Sequence, residues 1–153
     1  MSNVHRLQRV QQLNISLEEA WNFFSSPQNL QQITPAYMKF TIKSTNKSNT
    51  MYPGQLIEYT VRPLFGIPLY WMTEITHVKD KVYFIDEQRF GPYSFWHHQH
   101  HFKENERGVE MTDLLHYKVP LHFLGRIVNR LIVHKQVNQI FDYRYKKIAE
   151  MFG

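Results

Sequence analysis

The stretch Trp96-His97-His98-Gln99-His100-His101-Phe102 sets two histidines two residues apart inside an aromatic frame. Residues two apart in a strand share a face. Trp96, His98, His100 and Phe102 therefore look one way, and His97, Gln99 and His101 the other. The aromatic ends mark the first set as the buried face, which leaves His97 and His101 at the surface. By the same alternation Phe84, Asp86 and Gln88 share a face, as do Met111, Asp113, Leu115 and Tyr117. If these three segments are neighbours with those faces inward, two carboxylates meet two imidazoles among Trp71, Trp96, Phe84 and Phe102. Glu74 and Glu87 fall on the opposite faces and drop out of the set.

Three chemistries are open to such a group. Each acid can orient a histidine in a closed hydrogen-bond network. The network can instead recognise the polar head of an otherwise apolar ligand. Or a His–Asp pair drawn from His98, His100 and Asp113 can abstract a proton beside a carbonyl. A hydrolytic triad lacks a serine in a nucleophile setting. His98 and His100, with Asp113 on the next strand, could offer two nitrogens and an oxygen to zinc or iron. Yet His-x-His is a short pattern in a chain with nine histidines, so neither a metal nor a cofactor is expected. No cysteine is present, which excludes disulfides, thiolate metal sites and cysteine nucleophiles.

The elements that must position these residues are legible from pattern. His5 to Asn14 reads as a first strand, with an edge position open to it. Ser16-Leu17-Glu18-Glu19 is a capping box opening a short aromatic helix with Ala20, Trp21, Phe23 and Phe24. Ser26-Pro27 starts a second short helix, which carries Leu30 and Ile33 and stops before Pro35. The period then switches to two. Strands are expected at Lys39–Ser44, Gln55–Arg62, Leu69–Val78, Lys81–Phe90, Ser94–Lys103 and Val109–Val119, with a polar loop at Thr45–Asn49. Pro120 ends the sheet. Phe123 to Phe152 has no proline and a helical period, with Leu124, Ile127, Leu131, Phe141, Tyr145, Ile148 and Phe152 on one stripe and Val128 and Ile140 beside it. About 28 helical residues reach roughly 40 Å, enough to cross a sheet's concave face. The expected fold is α+β: a curved antiparallel sheet of about seven strands around a long C-terminal helix, with two short helices after strand 1, in one domain over residues 1–153. The apolar loop Arg62–Pro68 reads either as a packed turn or as a lid.

The same residues resemble the helix-grip superfamily of START, polyketide-cyclase and birch-pollen-allergen proteins, often called SRPBCC. Within it the chain is similar to a bacterial group of ligand-binding proteins of unknown role. The resemblance rests on Trp21-x-Phe23-Phe24, Pro27-x-Asn29-Leu30, Ile33-Thr34-Pro35, Gly54, Pro68 and Trp71. It continues through Phe84-x-Asp86-Glu87-Gln88, Gly91-Pro92-Tyr93, Trp96-x-His98-x-His100-x-Phe102, Thr112-Asp113, Tyr117 and Pro120. It implies a hydrophobic cavity and a small ligand, and no established reaction.

The leading expectation is a carrier or sensor holding a small hydrophobic or aromatic ligand, lined by Trp71, Phe84, Asp86, Gln88, Trp96, His98, His100, Phe102, Asp113, Tyr117 and Phe141. One alternative is a cyclase- or dehydratase-like enzyme. Another is a basic interaction module, because Arg126, Arg130, Lys135, Arg144, Lys146 and Lys147 outnumber Asp142 and Glu150 along the last helix. Aromatics expected inside, not interleaved with surface lysines, argue against nucleic acid as partner. No stretch approaches the ~20 apolar residues of a membrane span, and the first residues are polar, so a soluble, cytoplasmic protein is expected. The pattern leaves the oligomeric state open.

Overall fold

The computed structural model describes residues 4–44, 50–63, 65–120 and 126–153, with side chains described outside 126–130. Its seven strands are β1 (His5–Leu13), β2 (Thr41–Ile42), β3 (Gln55–Val61), β4 (Leu69–Lys79), β5 (Tyr83–Phe90), β6 (Phe95–Asn105) and β7 (Gly108–Lys118). They form one antiparallel sheet in the order β1-β7-β6-β5-β4-β3-β2. The first strand lies at one edge beside the last, and hairpins carry the chain from β3 to β7. Register shifts between Met72 and Thr73, and between Ile75 and His77, interrupt the β4–β5 ladder; such bulges bend a sheet.

Between β1 and β2, helix α1 (Leu17–Phe24) starts at the expected capping box: Glu19 N–H donates to Ser16 Oγ, and Ser16 N–H to Glu19 Oε2 at 2.9 Å. The Pro27–Ile33 segment is a 3₁₀ helix. A further 3₁₀ turn at Ala36–Met38 follows, just ahead of the strand that the pattern predicts from Lys39. Lys39 leaves this turn with a left-handed φ of 43°. Met38 O accepts from Arg62 N–H, and regular pairing begins only at Thr41. The predicted Lys39–Ser44 strand thus shrinks to two residues, because that stretch must turn before it can pair.

The last helix, α2 (Arg126–Phe152), has 27 residues. Val133, Gln136, Val137, Phe141 and Ile148 are buried along it. Leu131 is 65% exposed and Tyr145 is also exposed, so the buried stripe is rotated from the expected one. At about 100° per residue, Leu131 stands well to one side of Phe141, with Val133 and Val137 on the other. Leu124, and the side chains of Ile127 and Val128, lie outside the described residues, as do the Thr45–Asn49 loop and Leu64.

The helix is fastened near both margins. On the β1 side Arg9 pairs with Asp142 at 2.8 Å, and Gln11 Nε2 donates to Tyr145 O at 2.8 Å. Tyr117 and His134 share a 2.6 Å hydrogen bond, and Gln136 donates to Pro63 O in the β3–β4 loop. Between these ties the apolar interior divides into three clusters. One centres on Trp21, Phe24, Phe84 and Phe102, one on Leu115, Tyr117, Val137 and Phe141, and one on Met38, Phe40, Val61 and Trp71. Among the described residues no helix is long and apolar enough to cross a membrane.

Candidate functional site

A cavity of about 160 Å³ lies where the three clusters meet. Trp71, Phe84, Asp86, Trp96, His98, His100 and Phe141, all expected from sequence, line it. Aromatic contacts fix the shape: Trp71 meets Trp96 edge-on at 5.1 Å, and Tyr93 packs against both.

Strand register brings the acids and histidines together. Asp86 lies directly across from His98, and Asp113 directly across from His100. The short contacts nevertheless run along the diagonals. His98 Nε2 is 2.9 Å from Asp113 Oδ1, and His100 Nε2 is 2.7 Å from Asp86 Oδ2. The facing pairs are longer: His100 Nδ1 to Asp113 Oδ1 is 3.1 Å, and His98 Nδ1 to Asp86 Oδ2 is 3.6 Å. Four side chains from β5, β6 and β7 thus form a ring, with the imidazole centroids 3.8 Å apart. Phe84 stacks on His100 at 4.2 Å, and Phe141 meets His98 at 5.4 Å.

The two histidines are not equivalent. Burial lowers the affinity of His98 for a proton, the charge of His100 lowers it further, and together these outweigh the nearby carboxylates. Burial acts on His100 in the same direction, but its contacts with Asp113 and Asp86 override that and raise its pKa. Burial pushes both carboxyls up, yet the histidines hold Asp86 below and Asp113 well below the ordinary range. The geometry agrees. A neutral His98 donates from Nε2 to Asp113 and turns a bare lone pair on Nδ1 toward Asp86. Two such acceptors stay beyond hydrogen-bond distance, as the 3.6 Å separation shows.

Asp86, His98 and His100 offer three ligand atoms within 4.8 Å of one another. In a tetrahedral zinc site with bonds near 2.0 Å, neighbouring donors stand roughly 3.3 Å apart. The 2.7 Å His100–Asp86 contact is closer than that. As folded, His100 and Asp86 hydrogen-bond each other, and the three atoms would surround an ion only once that bond opened.

Gln88, Phe102, Asp113 and Tyr117 were expected in the wall and stand outside it. Asp113 lies behind the histidines. Phe102 belongs to the cluster under α1, and Tyr117 to the cluster under α2, where it bonds His134. Gln88 clamps the β5–β6 turn, donating to Tyr93 O at 2.7 Å and accepting from Tyr93 N–H at 3.1 Å. A Cβ on Gly91 would sit 2.5 Å from Gln88 Oε1, so the Gly-Pro-Tyr turn and this glutamine form one device that aims Tyr93 into the wall. Alternation places all four on inward faces, but an inward residue can still be covered by its neighbours.

Sequence reasoning missed Tyr59, Thr73, Tyr93 and Arg144, all in the lining. Tyr59 shares a 3.0 Å hydrogen bond with Thr73, whose Oγ1 also accepts from Trp71 Nε1 at 3.1 Å. Burial pushes the Tyr59 and Tyr93 hydroxyls upward, so both stay protonated at neutral pH. Tyr59 was findable, since it alternates with Ile57 and Val61. Arg144 reads as one more surface cation of a basic helix, and only the rotation of the stripe turns it inward.

An antiparallel sheet gripping a long terminal helix over a cavity defines a helix-grip-like fold. No protein-family model matches the chain, and no curated protein matches it in sequence. Solved structures do. Protein CV1439 from Chromobacterium violaceum superposes with a TM-score of 0.70 at 12% identity, covering 99% of this chain and 98% of that one. Protein Ms6760 from Mycobacterium smegmatis gives 0.67 at 15% identity, over 95% and 89% of the two chains. SA2116 from Staphylococcus aureus, a protein of unknown function, gives 0.66 at 13%, over 97% and 95%. At these identities the likeness establishes the fold alone.

Proposed function

We propose that this chain is a cytoplasmic, non-catalytic carrier or sensor of the SRPBCC type, a single domain holding a small hydrophobic or aromatic molecule in its internal cavity. The supporting observation is the composition of that cavity: aromatic and aliphatic walls around a polar ring whose members already bond one another. Among the described residues no buried side-chain nitrogen or oxygen lacks a partner. The volume of about 160 Å³ compares with a cavity of about 150 Å³ that stays dry and accepts benzene. A single ring with a short substituent is therefore the size of occupant that fits.

Turnover is the weaker reading. A general base must face the proton that it removes, and all four imidazole nitrogens of His98 and His100 look toward carboxylates. Nucleic acid is a poor partner for the last helix. Arg144 turns inward, and Lys147 pairs with Glu150 at 3.0 Å.

Trp71 and Trp96, two of the chain's three tryptophans, make occupancy visible. Titration with single-ring aromatics is expected to change their fluorescence saturably. Ile57→Trp, which fills the lining, is expected to abolish that response while the fold persists by circular dichroism. Equal affinity in the folded variant would refute the internal site.

A further inference from the structure

Among the described residues Arg144 is the one cation in the cavity lining besides the histidines. Among the described residues its guanidinium has no hydrogen bond and no ion pair. It lies over the Phe141 ring, 5.8 Å from Cζ to the centroid. It lies within electrostatic range of Asp86 and Asp113 and helps to hold both ionised, yet bonds neither, because the histidines occupy those carboxylates. Arg144 is half-buried and lines a largely apolar cavity; its guanidinium is a donor fork without an acceptor, and a planar carboxylate matches it.

Charge balance sets a condition. Asp86 and Asp113 carry two negative charges, and His100 and Arg144 two positive ones, so these side chains sum to zero with His98 uncharged. A carboxylate adds one negative charge to a desolvated place, which is costly unless something compensates. The opening in the ring is His98 Nδ1, 3.6 Å from Asp86 Oδ2. A proton there turns two facing acceptors into a hydrogen-bonded pair. The groups facing His98 are Asp86 on β5, His100 on β6, Asp113 on β7 and Phe141 on α2, while Arg144 acts on the ring through the charges of Asp86 and Asp113. With both imidazoles charged the ring is neutral by itself, and Arg144 is left to the ligand.

We propose that the occupant is a small carboxylate, an aryl or short aliphatic acid, whose head is held by Arg144 and whose binding places a proton on His98 Nδ1. This rests on the ligand-binding reading of the cavity and names the chemistry of its occupant. The proton comes from solvent, and no covalent bond changes in the ligand.

The test is calorimetric titration with benzoate, benzamide and toluene at pH 6 and pH 8, on the wild-type chain and on Arg144→Met. At pH 6 benzoate is expected to bind about tenfold or more tighter than benzamide. That advantage is expected to shrink at least tenfold by pH 8, since one proton is taken up per ligand. Arg144→Met is expected to bring benzoate down to the level of benzamide, while continued binding of toluene, which offers Arg144 no acceptor, shows that the cavity is intact. Equal binding of benzoate and benzamide overturns the anchor and leaves the cavity reading standing. So does an advantage that survives Arg144→Met. An advantage unchanged from pH 6 to pH 8 overturns the role of His98. Failure of all three compounds to bind at millimolar concentration overturns both anchor and cavity reading.

Discussion

His98 and His100 sit two residues apart on one strand face, yet the fold pushes their proton affinities in opposite directions. The cause is the crossed pairing: His100 has carboxylates at 2.7 and 3.1 Å, whereas His98 has only one close. Nitrogen-detected NMR near the ordinary value of 6.5 should show His100 as imidazolium and His98 as the neutral Nε2–H tautomer. Matching titrations of the two rings would contradict the pairing. The stability consequences carry opposite signs. The contribution of His100, whose folded pKa is raised, is complete below 6.5 and fades as pH rises through the folded value. That of a neutral His98 is complete above 6.5 and fades as pH falls. Asp86 and Asp113, both depressed from 3.8, stabilise the fold above that value and lose their contribution as pH drops through their folded pKa values. Asp113→Ala strips the partner from His98 Nε2 and one of two from His100, and should cost about 3–5 kcal/mol by urea unfolding. A loss under 1 kcal/mol would mean that the ring does not contribute materially to stability.

At the scale of elements, the strands at the centre of the sheet were the most legible part of the sequence. Alternation in β5, β6 and β7 fixed the inward faces, and register then made the predicted acid–histidine meeting a fact. Helix α2 was harder, because its apolar residues are spread around it. Leu131 and Tyr145 stay exposed while Val133, Gln136 and Val137 are buried, and a buried glutamine gives a hydropathy pattern nothing to follow. Arg144 was lost with that rotation. The role of Gln88 was illegible for a different reason: a residue bonded to main chain leaves no mark in side-chain alternation. Gln88→Ala removes both bonds to Tyr93 and should cost about 1–3 kcal/mol in chemical unfolding. In the β3–β4 loop Phe65 is 90% exposed with a φ of 52°. Phe65→Ser should leave stability within about 0.5 kcal/mol. If the loop is a lid, the substitution should speed ligand release in stopped-flow fluorescence; an unchanged rate would assign the loop to a plain turn.

For the molecule as a whole, the decisive fact is what the helix leaves empty. Side chains from the sheet, the short helices and α2 collect into three clusters that touch through Leu30, Tyr93 and Trp96 yet leave a cavity where they meet, and the ties at Arg9, Gln11, Tyr117 and Gln136 hold the helix across it. The sequence carried the order of elements and the excess of rings, but a void depends on how far a sheet curls, which no local pattern encodes. Xenon enters dry cavities of this size, so diffraction from crystals under xenon pressure probes the space itself. The expected result is xenon density enclosed by Trp71, Phe84, Ile57 and Phe141, absent from Ile57→Trp. Side chains in contact across that space, with no xenon between them, would contradict the account.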